Sequence, residues 1–158
     1  MKNLTIPIKY GLAIGTALIA YFLILSLFGA HTNPIYSLLN GVIAGYGIYE
    51  GIKHYKLLKG EKFKYQKGFA AGMLSGFNAT ILFSVFMGVY ASHLNPAFLD
   101  NIQWRLTGET GLGLFLFEVI IMGFATSVVL TLSFMQLFKK SWNTKDGKRH
   151  TYNKEEKK

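Results

Sequence analysis

The chain contains no cysteine, and that absence excludes disulfides, thiolate metal sites, iron–sulfur clusters and a cysteine nucleophile together. Short catalytic signatures are missing too. There is no phosphate-cradling glycine loop followed by Lys-Ser/Thr, no HExxH and no G-x-S-x-G, so enzyme chemistry is not expected. Histidine occurs four times and never inside a long apolar stretch, which excludes buried bis-histidine haem ligation. No cofactor is expected. Acidic residues are outnumbered, 8 against 17 lysines and arginines, for a formal charge of +9. In a soluble domain this excess would suggest nucleic acid. Here charged and apolar residues are segregated into blocks, which reads as membrane spans joined by charged connectors.

Four stretches, at about 10–29, 35–52, 68–90 and 111–134, have the length that a helix needs to cross a hydrocarbon core, roughly 17–25 residues. The first is too long for a signal-peptide apolar region, and no small-x-small cleavage site follows it. The expected fold is all-α: an integral membrane bundle of four transmembrane helices, two helical hairpins, over residues 1–138. Residues 139–158 form a basic tail whose composition predicts disorder.

Orientation follows from the positive residues. Lys2 and Lys9 precede the first span. Lys53, Lys56, Lys59, Lys62, Lys64 and Lys67 lie between spans two and three, and Lys139, Lys140, Lys145, Lys148, Arg149, Lys154, Lys157 and Lys158 follow span four. Only Arg105 lies on the other side, so sixteen of seventeen share one side. The positive-inside rule then predicts cytoplasmic N and C termini and a multi-pass protein of the bacterial inner membrane. These residues also attract anionic lipid headgroups, at ~1 kcal/mol per basic residue near the surface. Topology and lipid attraction account for them without a nucleic-acid partner.

The link between the first two spans is only AHTNP, which predicts a tight antiparallel hairpin started by an Asn33 cap with Pro34 at the first helical position. The pattern returns after span three: HTNPIY from His31 matches HLNPAF from His93, as GLAIG from Gly11 matches GFAAG from Gly68. Both a duplicated hairpin and shared membrane composition produce such matches. After Asn95-Pro96, Phe98, Leu99, Ile102 and Leu106 predict a short amphipathic helix, with Trp104 and Arg105 at headgroup level. His31 and His93 occupy matching places, but two histidines without a carboxylate pair make no metal site.

Glycine is abundant inside the spans. NGVIAGYGIYEG, from Asn40 to Gly51, holds four in twelve residues, and in water each would cost a helix about 1 kcal/mol relative to alanine. In a bilayer, burying apolar surface gives helices no drive to meet, and small residues one turn apart let backbones approach. Gly11 and Gly15, Gly41 and Gly45, Gly47 and Gly51, and Gly68, Gly72 and Gly76 have that spacing. They are the expected packing faces, within one bundle or between copies.

Two acidic residues lie in the spans. Glu50 has Lys53 and His54 three and four residues on, which predicts a local ion pair. Glu118 lies seven residues into the fourth span with no basic residue within a turn, ~10 Å below the surface at 1.5 Å per residue. Its face, with Gly111, Met122, Ala125 and Thr126, suggests an inward orientation, since an unpaired carboxylate there needs protein, water or a proton. Counting depth brings Asn40 to a similar level, Ser84 and Thr80 toward it from below, and Asn78 nearer the midplane. Such a cluster is either a protonation-switched or substrate site, or hydrogen-bonded glue between helices.

KYGLAIG at the first span, GIKHYK leaving the second, KFKYQKGFAAG entering the third and NPAFLD after it resemble an uncharacterised family of small four-span membrane proteins. That family, found mainly in Bacteroidetes, is defined only as a domain of unknown function. Its members often carry a longer, more acidic loop before span four. The resemblance implies the topology and transfers no functional residue. The expected role is a non-enzymatic accessory or scaffold subunit, packing with itself or with a larger membrane complex. The alternative is a small proton-coupled transporter or channel using Glu118, with an enzyme pairing Glu118 and a histidine third.

Overall fold

A computed structural model describes residues 5–103 and 111–139. Lys2, Trp104, Arg105, Leu106 and the tail from residue 140 lie outside the described residues. Five helices form: α1 (Thr5–Leu27), α2 (Pro34–Lys59), α3 (Tyr65–Val89), α4 (Ala97–Gln103) and α5 (Leu112–Leu137). Among the described residues there is no strand.

The helix ends follow local chemistry. Asn33 caps α2, its side-chain oxygen accepting from the Ile35 N–H at 3.1 Å, and Pro34 follows where no N–H is needed. Gly60 closes α2 at φ 51°, its N–H returning to the Lys56 carbonyl, a left-handed backbone that glycine adopts without strain. Proline at 96 disfavours helical geometry for Asn95, and α3 unwinds there into a wide turn, Tyr90–Leu94. The Asn95 N–H reaches the Tyr90 carbonyl, five residues back, at 2.8 Å. The expected short helix after it is α4, with Phe98 buried and Leu99 and Ile102 packed beside it.

Among the described residues three segments are long and apolar enough to cross a membrane: Thr5–Leu27, Tyr65–Leu94 and Leu112–Leu137. α2, the fourth expected span, has 26 residues, ample length at 1.5 Å each. Its second half carries Glu50, Lys53, Lys56 and Lys59, and it is the least apolar of the long helices.

α3 is central, packing against α1, α5 and α2. Its stripe of Gly68, Gly72, Gly76 and Thr80 faces Met135, Thr131, Ser127 and Gly123 of α5. Each step of four along α3 meets a step of four back along α5, the register of two antiparallel helices in close approach. A Cβ on Gly72 would lie 2.7 Å from Thr131 Cγ2 and 2.8 Å from Ile52 Cδ1, so any larger residue forces these buried side chains to shift. Two of the hydroxyls tolerate this apolar setting by donating to their own helix, whereas Thr131 Oγ1 is covered and has no partner among the described residues. Thr80 bonds the Gly76 carbonyl at 3.0 Å and Ser127 the Gly123 carbonyl at 2.7 Å. α1 runs parallel to α3, Gly11 against Asn78 and Gly15 against Leu82, while Gly47 and Gly51 of α2 meet Ile14 and Tyr10 of α1.

Gly41 and Gly45 behave differently from the other glycines of the expected packing faces. A Cβ on Gly45 would find its nearest neighbour at 3.6 Å, ordinary contact, and one on Gly41 would meet nothing within 4 Å. A crevice, and no neighbouring helix, lies before Gly41.

Candidate functional site

Four helices border this crevice of about 520 Å³. Ile14 and Leu18 come from α1, Asn40, Gly41 and Ala44 from α2, Thr80 and Phe83 from α3, and Met122, Gly123 and Thr126 from α5. It exists because α2 and α5 meet only toward the lysine-rich end. There Tyr49 stacks on Phe138 at 5.6 Å and meets Phe134 edge-on at 5.6 Å. Farther along, Gly41, Ala44 and Gly123 leave the gap unfilled. Its volume falls within the range of small-molecule sites, ~300–1,000 Å³. The lining is apolar apart from hydroxyls and Asn40, whose Oδ1 is covered and has no hydrogen-bond partner among the described residues. An apolar body offering one donor fits this chemistry.

The four residues expected to form one polar cluster take separate places, and none hydrogen-bonds another. Asn40 alone lines the crevice. Asn78 packs against Gly11 between α1 and α3. Ser84 is buried in α3, its Oγ without a partner among the described residues. Glu118 is partly buried, and the inward orientation expected for its face is overturned. Gly111, Met122, Ala125 and Thr126 are all exposed, Met122 by 69%. α5 buries the neighbouring stripe instead, through Phe115, Ser127, Thr131 and Met135, because that stripe carries the small residues that let α3 approach. Glu118 stands on the shoulder between the two faces. Sequence reasoning missed Gly123, Ser127 and Thr131, although their four-residue spacing is the counterpart of the Gly68, Gly72 and Gly76 stripe.

At the end of the bundle opposite the lysines, His31 is enclosed by rings. It stacks on Phe98 of α4 at 5.5 Å and 22°, with Phe22 edge-on at 5.6 Å and Tyr90 at 6.3 Å. Tyr90 is itself tied to Ser26 at 2.8 Å and to Asn95 at 3.4 Å. Both ring nitrogens of His31 are covered and have no partner among the described residues, and burial holds its pKa below the ordinary 6.5. The unfolded chain therefore binds a proton that the folded ring resists. Stability is full above pH 6.5 and falls as the pH drops from there through the lowered folded value. A melting temperature measured from about pH 7.5 to about pH 5 should decline. In His31→Phe, which keeps the stacked ring, that decline should shrink; an unchanged slope would show that this ring does not carry it. His93, at the matching place in sequence, is exposed and bonded to Ser92 at 2.6 Å. Among the described residues no three potential ligands gather for a metal.

Near the lysine-rich end, Glu50 and Lys53 form the expected ion pair at 3.0 Å, and this hydrogen bond holds the Lys53 pKa above its ordinary value. His54 turns instead to the Tyr10 hydroxyl, 3.1 Å away.

The family model described as Protein of unknown function (DUF4199) matches residues 9–109, more than half of the chain. The interval covers all four motifs that suggested a resemblance and stops short of α5. No curated protein and no solved structure matches the chain.

Proposed function

The chain belongs to the DUF4199 family, whose description carries no activity, and from that premise we propose a small, non-enzymatic accessory or scaffold subunit of the bacterial inner membrane. In this reading it crosses the bilayer four times with both termini in the cytoplasm. The parallel packing of α1 on α3 supports the four-span count. If two neighbouring spans run in the same direction, the chain must return between them, and α2 is the helix that connects them. The distribution of lysine and arginine supports the orientation.

One observation carries the accessory role. Among the described residues α5 is the most apolar span and the least covered, and at the edge of its exposed face stands the partly buried Glu118, with no ion pair or hydrogen bond among the described residues. A carboxylate within a span is stabilised when another surface supplies donors, and the adjoining crevice gives that surface a recess to enter. A second copy or a larger membrane complex would supply it.

Native mass spectrometry after gentle extraction from the source membrane tests this. A stoichiometric foreign subunit or a defined homo-oligomer is expected, and a bare monomer throughout would sink the reading. Gly41→Leu should fill the crevice without disturbing the bundle and so reduce assembly while preserving the melting temperature. Undiminished assembly would remove the crevice from the interface.

A proton-coupled transporter or channel using Glu118 is the second reading, favoured by the unpartnered Asn40 in the crevice. It requires an oligomer, since one bundle this small encloses no pathway. Glu118→Gln would then abolish pH-dependent flux in vesicles, and a parent protein without flux would end this version.

A further inference from the structure

A second cavity, of about 480 Å³, lies where the turn after α2, the start of α3 and the end of α5 meet, and Lys56, Phe63, Tyr65, Gln136, Phe138 and Lys139 form its walls. The walls are fixed by packing. The Phe63 ring sits over Gly68, where a Cβ would lie 2.5 Å from it, and lies 6.3 Å from Tyr55. Phe138 stacks on Tyr49. Between these two rings the partly buried Lys56 holds its ammonium 5.1 Å from the Phe138 centroid and 6.0 Å from that of Phe63. No carboxylate pairs with it among the described residues, so its N–H donors remain available. Glu61 at the rim is the opposing charge, and it is exposed, where water screens it. Two ammonium groups against one carboxylate leave the pocket positive.

The geometry points to a binding site for one anionic phospholipid headgroup, its phosphodiester held by Lys56 and Lys139. The Tyr65 hydroxyl and the Gln136 amide are further donors, and Phe63 and Phe138 lie beside the apolar start of the lipid. The pocket opens just beyond Leu137, where the apolar run of α5 ends, and so at headgroup depth. Basic pockets between helices on the cytoplasmic side take such headgroups. The inference rests on the membrane reading above and goes beyond the general attraction of a lysine-rich surface, because it names one site and a count of one lipid.

The test is native mass spectrometry of the full chain in detergent, titrated with phosphatidylglycerol, phosphatidylcholine or inorganic phosphate. One phosphatidylglycerol per chain should be retained in preference to phosphatidylcholine. Replacing Lys56 and Lys139 together by Gln should weaken retention about thirtyfold, and either alone about fivefold, at the usual strength of a basic residue near an anionic surface. Lys62→Gln with Lys64→Gln, outside the pocket, should change it far less. Glu61→Gln should tighten binding, a gain that a damaged fold does not produce. Equal retention by the Lys56/Lys139 double variant, or of phosphatidylcholine by the parent, overturns the site. Displacement of the lipid by inorganic phosphate at low millimolar concentration, on the order of soluble-ligand affinity, overturns its assignment to a lipid. Lipid count and subunit count come from the same spectra as separate masses. Failure of this site is therefore distinguishable from failure of the accessory-subunit reading.

Discussion

Gly11→Leu is expected to separate α1 from α3 and to leave little folded protein. The first atom of any side chain at this position would lie 2.5 Å from Asn78 Cβ and 2.9 Å from the Ser75 carbonyl oxygen. The second of these is backbone in the interior of α3, which cannot rotate away as a flexible side chain can. Even Gly11→Ala should cost about 1–3 kcal/mol, the usual range for overpacking, and leucine brings three further carbons into the same space. In a bilayer the effect has little compensation, since helices held by close contact lose their attraction when they are spread apart. The matched comparison is Gly41→Ala, where a Cβ meets nothing within 4 Å and stability should stay near the parent's. Unfolding in detergent against a denaturing surfactant measures both. Equal loss at the two positions would contradict the packing register described for α1 and α3.

Phe22→Ala should be the most damaging substitution at the opposite end, at about 3–5 kcal/mol, the range for truncating a buried phenylalanine. Phe22 lies at the centre of a set of rings drawn from separate parts of the chain. Its centroid is 4.9 Å from Tyr90, 5.6 Å from His31, 5.9 Å from Phe86 and Phe98, and 6.4 Å from Phe83. Every one of these pairs is edge-to-face, the arrangement that sets the positive edge of one ring against the negative face of another. Alanine would withdraw α1 from all of them and leave a cavity that Phe98 and α4 border. Protease should then cut at α4 before the remainder of the bundle opens, and a fall in stability below about 1 kcal/mol would refute the central place given to this ring.

The lysine end, the helix starts and the presence of close-packed helices are legible in the chain because each depends on neighbours in sequence. Asn33 and Pro34 cap α2 through atoms two residues apart. Asn95 and Pro96 end α3 by the same local sterics, although the second Asn-Pro leads into the short α4 and the first into the long α2. Glycines four residues apart announce that some helix comes close, since no other use explains so many in one stretch. That much follows from composition and spacing.

Which helix comes close is a matter of rotation and register, and spacing is silent on both. Gly41 and Gly76 look alike in sequence, yet one opens on a crevice and the other leaves no room for a methyl group. The same limit governs Glu118. A helix in water shows its buried side as an apolar stripe, whereas α5 is apolar all round because lipid accepts every face equally, so no pattern marks the side that turns inward. The sequence by itself determined an all-helical chain, its basic and apolar segments and its caps. Only the tertiary structure decided that α3 is the centre, that Gly123, Ser127 and Thr131 receive its glycines, and that Asn40 borders a crevice which Asn78 and Ser84 do not reach. Those outcomes depend on contacts between residues far apart in the chain, fixed by shape fit between helices and by no property that one helix carries alone.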